Sequence, residues 1–285
     1  MIGFGIRNIK VFFKDKSAVF FSLLAVFIII GLYALFLGDV WVDSFKGMSG
    51  VRYLMDSWIV AGLLAVASVT TTMGVFGIMI EDKTKKINKD YIASPIKNNS
   101  IVGGYILSSI TIGVIMSIVT LILSEIYIVA NGGEIASISV LIKALVLIVI
   151  TTIANSSMVL FIVSFFNSIN AFSTASTIVG TIIGFITGIY LPIGNLPESV
   201  QMIVKCFPTS HGAVLFRQLL MESPMEETFK GAGTEMVTEF RQLLGVEFSF
   251  NGEVISTNIS IAILVVTAVV FYVLSVLNLS RKRKK

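Results

Sequence analysis

The sequence LPIGNLPESVQMIVKCFPTS, residues 191–210, contains three of the chain's five prolines. It follows residues 172–191, an uncharged apolar segment long enough to span a membrane. Residues 199–207 and 209–220 are also apolar, but each segment is too short to cross a bilayer and carries a charge. Half-length apolar pieces separated by proline are typical of re-entrant or interfacial helices, because a broken backbone in lipid needs protein or water to satisfy its polar groups. We therefore expect re-entrant helices beside a transport path.

The rest of the chain has the composition of an integral membrane protein. Hydrophobic residues make up 55% and charged residues 13% of the sequence, whereas soluble domains contain about 25% charged residues. Six uncharged segments reach about the 20 residues that a bilayer core requires: residues 18–37, 58–80, 101–123, 144–166, 172–191 and 259–279. The predicted fold is all-α, with six transmembrane helices. The short link after the fourth span predicts that spans four and five are neighbours.

The basic residues predict the orientation. An even number of spans places both termini on one side, and a cytoplasmic assignment puts most of the 21 basic but few of the 17 acidic residues inside. We expect a multi-pass protein of the cell (plasma) membrane with both termini cytoplasmic. The predicted regions are an interfacial helix (1–17), spans one to five with the re-entrant segment (18–220), an extracellular cap (221–258), the sixth span (259–280) and a basic cytoplasmic tail (281–285).

Two regions outside the spans have clear local patterns. Residues 2–16 form an amphipathic helical pattern with basic residues beside one apolar face, which consists of Ile2, Ile6, Ile9 and Phe13. Such a helix lies in the membrane interface, either as a plain anchor or as a docking element. In the cap, apolar residues at helical spacing over residues 236–244 predict a helix. Asn251-Gly252 between alternating segments predicts a hairpin.

The longest predicted cytoplasmic loop, residues 81–100, contains five lysines. Among them Ile87, Tyr91 and Ile92 recur at helical spacing before Ser94-Pro95, where Pro95 should end a helix. The loop is either a solvated segment facing lipid headgroups or a short amphipathic helix that docks into a partner's groove.

Small and polar residues in spans four and five are candidates for packing or transport. Gly180, Gly184 and Gly188 lie four residues apart, which predicts a ridge for close helix approach within one subunit or between subunits. Asn155, Thr177 and Thr181 are polar side chains at membrane depth. Such side chains either form interhelical hydrogen bonds or face a substrate path.

The sequence lacks the residues that membrane enzymes and ion-coupled carriers use. The six predicted spans contain no acidic, basic or histidine residue, and the chain has one cysteine and one histidine. We therefore expect no catalytic residue, no metal site and no cofactor bound by this chain. The nearest match to a phosphate-binding loop, residues 77–84, has Asp82 at its second glycine position and ends a span. ATP-driven work would therefore require a partner, and no feature indicates nucleic-acid binding.

Several motifs in combination resemble the membrane subunits of type-2 ABC exporters, over essentially the whole chain. They are Ser94-Pro95-Ile96, Tyr190-Leu191-Pro192, Asn195-Leu196-Pro197 and Phe207-Pro208-Thr209-Ser210-His211, followed by Arg217. The resemblance implies a second permease subunit, identical or homologous, and cytoplasmic ABC ATPase subunits that use ATP and Mg. It places ATPase coupling at Ile92, Ser94 and Pro95, to which the loop pattern adds Ile87 and Tyr91. It places a re-entrant gate at four residues: Pro192, Pro197, Pro208 and Arg217.

The function expected from the sequence is therefore ATP-driven export. The chain would act as a permease, not as an enzyme, and would move a hydrophobic or amphiphilic compound such as a drug, an antibiotic or a peptide-like molecule out of the cell. An alternative within transport is export of a lipid or lipid-linked polymer. A third interpretation is a membrane enzyme or sensor that binds its ligand with the outer cap.

Overall fold

A computed structural model describes residues 1–44, 48–87, 91, 98–250 and 252–283. In chain order the α-helices are α1 (Ile2–Lys14), α2 (Lys16–Leu32), α3 (Gly38–Ser44), α4 (Val51–Thr84), α5 (Asn98–Ala130), α6 (Ile138–Val163), α7 (Ile169–Ile186), α8 (Glu198–Cys206), α9 (Pro208–Leu220), α10 (Glu222–Thr228), α11 (Thr234–Leu243) and α12 (Thr257–Arg283). A π-helical turn, Tyr33–Leu37, joins α2 to α3, and a 3-10 turn, Ile193–Asn195, precedes α8. Strands β1 (Ser249–Phe250) and β2 (Glu253–Val254) pair antiparallel.

The all-α membrane fold is confirmed. Six helices are long and apolar enough to cross a membrane within the described residues, and they correspond to the six predicted spans: α2, α4, α5, α6, α7 and α12. The helices α2, α6 and α7 end before the predicted ends at residues 37, 166 and 191. The bounds differ most for α4, which has 34 residues. At about 1.5 Å per residue this is a rod of roughly 50 Å, longer than the ~30 Å hydrocarbon core. The additional turns contain Asp56 and Asp82, on either side of the uncharged residues 57–80.

The long helix α4 is the centre of the bundle. It packs against α2, α5, α6, α7 and α9, and most of its side chains are buried. The helices α6 and α12 form a second extensive contact. The prediction that spans four and five are packed neighbours is wrong, because α7 packs mainly against α4 and makes no extended contact with α6. A short link requires two helices to meet at one end only and does not require them to pack along their lengths.

The N-terminal helix α1 docks onto the bundle. Its buried residues are Gly5, Asn8 and Phe12, and it packs chiefly against α5. The apolar side chains of Ile2, Ile6 and Phe13 stay exposed. The helix thus has one face for the protein and an apolar face left free, so the docking alternative describes its contacts better than a plain anchor does.

The predicted helix and hairpin of the cap are present as α11 and the β1–β2 pair, with Ser249 opposite Val254. They lie at the N-terminal end of α4, where Trp58 Nε1 donates a hydrogen bond of 2.9 Å to the Leu244 carbonyl oxygen. The bundle therefore has two ends. We call them the Asp56 end, which contains α10, α11 and the hairpin, and the Asp82 end, which contains α1.

Candidate functional site

The three prolines of residues 191–210 each lie at the start of a new element. Pro192 precedes the 3-10 turn, Pro197 precedes α8, and Pro208 is the first residue of α9. Proline suits these positions because its φ is preset for a helix and the missing N–H has no intrahelical acceptor there. The chain after span five thus folds as two short helices. Residues 209–217 of α9 are buried between α4, α6 and α12, and their role as a gate stays a prediction.

The three glycines of span five have three different environments. Gly188 adopts a left-handed φ of +69°, and the N–H groups of Gly188 and Ile189 bond back to carbonyls of the last helical turn at 3.0 Å. This is the usual way in which glycine ends a helix. Gly184 lies under the Tyr190 ring, whereas a Cβ at Gly180 would meet nothing within 4 Å. The predicted continuous glycine ridge is therefore wrong: α7 ends at Ile186, and only Gly180 remains open.

Arg217 connects the ends of two helices. Its side chain is fully buried, and Nη2 donates a hydrogen bond of 2.7 Å to the Thr187 carbonyl oxygen at the end of α7. Nη1 lies 3.5 Å from the Gly245 carbonyl oxygen, just after α11. The guanidinium carbon is 5.2 Å from the centre of the Trp58 ring. Helix C-terminal ends carry partial negative charge, so both carbonyls stabilise a cation at this point.

The environment of Arg217 contains no carboxylate partner among the described residues. Burial lowers the pKa of the Arg217 guanidinium to about 9. A guanidinium stays protonated in proteins, so a full positive charge is buried against carbonyl dipoles and an aromatic ring.

Asn155 joins three helices. Its Nδ2 donates to Ser68 Oγ in α4 at 2.7 Å, and its Oδ1 accepts from Thr209 Oγ1 in the first turn of α9 at 2.8 Å. The side chain is buried. These contacts favour the interhelical alternative for Asn155, because its amide is occupied by protein partners.

His211 holds α9 against α8 and α12. Its Nε2 is 2.9 Å from the Lys205 carbonyl oxygen and its Nδ1 is 3.1 Å from Ser260 Oγ. A neutral ring that donates from Nε2 and accepts at Nδ1 satisfies both partners. Burial lowers the pKa of His211 below its usual value, which also favours the neutral form.

A groove of about 630 Å³ lies between the start of α2, the middle of α4 and the first half of α7. The described residues that line it are aromatic, aliphatic or hydroxyl-bearing, and none of them is charged. They include Phe12, Phe21, Thr70, Phe172, Thr177 and Gly180. Thr181 is exposed one turn further along α7. Both threonine hydroxyls bond to carbonyls of their own helix, at 3.1 Å for Thr177 and 2.9 Å for Thr181. Thr177 and Gly180 thus share one cavity, at a distance from the Arg217 contacts.

Only part of the predicted ATPase-coupling segment can be placed. Ile92, Ser94 and Pro95 lie outside the described residues. Ile87 is partly exposed. The Tyr91 ring packs edge-on against Phe4 of α1, with 4.9 Å between ring centres. The coupling role of these residues stays a prediction.

Two ion-pair clusters were missed in the sequence. At one end of α4, Asp82 is paired with Arg7 and accepts a hydrogen bond from Tyr105 of α5. At the other end, Asp56 is paired with Arg52 and accepts a hydrogen bond from Tyr127 of α5. Their positions in the sequence could have indicated these clusters. The two aspartates flank the uncharged residues 57–80, and a tyrosine lies near each end of the next span.

Taken together, these elements define a multi-pass helical membrane transport domain, in which a central helix connects a region of interrupted helices to a docked N-terminal helix. The family model of the ABC-2 family transporter protein matches residues 41–277. The chain belongs to this family and is a permease subunit of an ABC transporter. Membership implies an ATPase partner in general terms. No curated protein gives a significant match to the chain.

Proposed function

We propose that this chain is the permease subunit of an ATP-driven exporter that moves a hydrophobic or amphiphilic compound out of the cell. A cytoplasmic ABC ATPase would bind and hydrolyse ATP with Mg. A second permease subunit, identical or homologous, would complete the path in the plasma membrane. Both termini would face the cytoplasm.

The substrate class is inferred from the groove between α2, α4 and α7. Three phenylalanine rings, Phe12, Phe21 and Phe172, offer apolar contact area, and Thr70 and Thr177 add hydroxyl groups. A pocket with many apolar groups and few polar ones suits a ligand that is largely hydrophobic. None of the described residues that line the groove has a carboxylate or an amine, so a strongly charged substrate would find no counterion among them.

The exposed face of α7 supports a second permease subunit. Ser173, Thr174, Thr177 and Thr181 lie on it and are exposed in the single chain. Small hydroxyl-bearing residues permit close helix approach and hydrogen bonds across a membrane interface. A second copy or a homologue packed on this face would enclose the groove between two subunits.

The division between the two ends of α4 supports the direction of export. The basic residues of α1, together with Lys83, Lys85 and Lys86, belong to the Asp82 end, which by the positive-inside rule is the cytoplasmic end. Arg217, the prolines that follow α7 and the hairpin belong to the opposite part of the bundle, toward the Asp56 end. In this arrangement a substrate enters the groove from the inner side, and the interrupted helices control its exit.

The test is transport by a reconstituted complex. The chain and its candidate ATPase are placed in proteoliposomes, and ATP-dependent movement of an uncharged amphiphilic dye is measured. Gly180→Phe should abolish dye movement, because its ring enters the groove while the Cβ meets no neighbour within 4 Å. Gly31→Phe is the matched control, since Gly31 is a span glycine whose Cβ also meets nothing within 4 Å but which does not line the groove.

Two results would decide against the proposal. Dye transport that proceeds without any nucleotide-binding subunit would exclude ATP-driven export. Equal transport by the Gly180→Phe and Gly31→Phe variants would exclude the groove as the path. ATP-dependent movement of a labelled phospholipid, with no movement of the dye, would support the lipid-exporter alternative instead.

A further inference from the structure

The Asp82 cluster joins three separate parts of the chain. Arg7 forms a two-point ion pair with Asp82, with Nη1–Oδ2 at 2.7 Å and Nη2–Oδ1 at 3.0 Å. Tyr105 donates a hydrogen bond of 2.6 Å to Asp82 Oδ2. The Asp82 side chain is only 4% exposed. A bidentate arginine–carboxylate pair with a third donor fixes direction as well as distance, so α1, α4 and α5 are held in one geometry at this end.

The same helix α1 carries the contact to Tyr91. The Phe4 ring lies edge-on to Tyr91 at 4.9 Å and to Tyr105 at 5.0 Å, measured between ring centres. The Arg7 guanidinium carbon is 5.8 Å from the centre of the Tyr91 ring. Partial burial alone would lower the pKa of Arg7, but the ion pair with Asp82 raises it above its usual value. The cation therefore persists, and Tyr91 rests on a helix that Asp82 holds in place.

A cluster of the same composition lies at the other end of α4. Tyr127 donates to Asp56 Oδ1 at 2.9 Å, and Arg52 Nε lies 3.1 Å from Asp56 Oδ2. Among the described residues, the other hydrogen-bond contacts of Arg52 are with Asp39, Tyr127 and Asn131. Among the described residues, both clusters join α4 to α5, and the Asp82 cluster also holds α1, whose Phe4 contacts Tyr91.

We propose that Arg7, Asp82 and Tyr105 are positioning residues for energy coupling. They hold α1 in a fixed position on α4 and α5, and α1 in turn supports Tyr91 of the loop after α4. The inference rests on the proposed function, because it requires an ATPase at the Asp82 end. In addition to the backbone links at its two ends, the loop then acts on α4 and α5 through α1 and the Asp82 carboxylate. The Asp56 cluster fastens the same two helices without taking part in this coupling.

The experiment uses the complete complex. It measures whether ATP, which the ATPase binds at the Asp82 end, changes the reactivity of a residue toward the Asp56 end. Cys206 is the chain's one cysteine and is exposed at the end of α8, so its reaction rate with a maleimide reports on the Asp56 end. For the wild-type complex we expect ATP to change this rate. For Asp82→Asn we expect the ATP-dependent change in the Cys206 reaction rate to be about tenfold smaller, a factor within the usual range for coupling between two sites. The ATPase should still co-purify with this variant. Asp56→Asn, the matched control, should retain the change.

Two further variants separate coupling from folding. Phe4→Ala removes the ring contacts to Tyr91 and Tyr105 but keeps both partners of the Arg7–Asp82 ion pair, and should reproduce the loss of the ATP response seen with Asp82→Asn. The double variant Arg7→Asp, Asp82→Arg restores opposite charges and should recover part of the ATP response. A merely structural role would lower stability alike at both ends and leave the ATP response of Phe4→Ala intact.

The outcomes distinguish this inference from the proposed function. A wild-type complex whose Cys206 reaction ignores ATP would count against the proposed function itself. A wild-type response that survives equally in Asp82→Asn, Phe4→Ala and Asp56→Asn would overturn the positioning role while leaving ATP-driven transport in place.

Discussion

Replacement of Arg217 by methionine tests whether a buried cation holds the end of span five. Methionine keeps the apolar stem of arginine but has neither the charge nor the hydrogen-bond donors. The lost bond to the Thr187 carbonyl is a good one at 2.7 Å, and a bond from a charged donor contributes about 1.5–3 kcal/mol. The Gly245 contact at 3.5 Å is too long to contribute much. The desolvated contact with the Trp58 ring adds about 1–2 kcal/mol.

These losses are opposed by one gain. A methionine needs no desolvation of a charge, and replacement of buried ionic groups by apolar ones is often neutral or even stabilising. The Arg217→Met chain, however, leaves the buried Thr187 carbonyl without its donor, which costs a further ~1 kcal/mol or more. We therefore expect a net destabilisation of about 2 kcal/mol, which corresponds to a fall in melting temperature of roughly 4 °C or more.

The assay is thermal unfolding of the purified chain in detergent, followed by tryptophan emission. The chain has two tryptophans, so a Trp41→Phe background leaves Trp58 as the reporter directly under Arg217. Arg241→Met is the control. Arg241 Nε lies 2.8 Å from Glu247 Oε1, but not in hydrogen-bond geometry, and the Arg241 side chain is 37% exposed. Because exposed ion pairs of this kind contribute about 1 kcal/mol at most, this variant should lower the melting temperature less than Arg217→Met does. If Arg217→Met melts at or above the wild-type temperature, desolvation outweighs the carbonyl and ring contacts, and our account of Arg217 is refuted.

Three further predictions concern the same region. Asn155→Leu should destabilise the chain by about 1 kcal/mol, since its two interhelical bonds contribute roughly 0.6 kcal/mol each; thermal unfolding in detergent measures this. Because burial lowers the pKa of His211, the unfolded chain binds its proton more readily, so stability should fall as pH drops below about 6.5. Melting curves at pH 7.5 and 5.5 should show this fall, and His211→Gln should reduce it. Gly188→Ala should lower the melting temperature through its left-handed φ, whereas Gly180→Ala should not; a reversed order would contradict the assigned end of α7.

The spans could be predicted from the sequence because one physical effect dominates them. A bilayer excludes unpaired charge from about 20 consecutive residues, and that pattern is local. The interrupted helices after span five were also predictable, because proline acts on its own neighbours: the structure begins α8 directly after Pro197 and α9 at Pro208. Asn-Gly likewise predicted the hairpin from two residues.

What could not be predicted depends on residues far apart in the chain. Asp82 was counted as an acidic loop residue, because nothing near it in sequence indicates that Arg7 and Tyr105 neutralise and bury it. The sequence does not distinguish a glycine that ends a helix from one inside a helix. Gly188 was therefore assigned to a continuous glycine ridge, although it lies after the end of α7. The resemblance placed Arg217 at the gate, but its contacts with Thr187 and the Trp58 ring required the folded chain.

The positions of the buried charges give a physical reason for α4 to act as the connecting element of this permease. A charge that is buried at a helix end and held by partners costs several kcal/mol to move into lipid or to leave unpaired. Asp56 and Asp82 therefore fix both ends of α4 relative to α5, so the helix resists sliding along its axis. Tilting or rotation of α4 and α5 together preserves both clusters. That motion would open or close the groove against α7, which is attached mainly to α4 and carries no such charged anchor of its own.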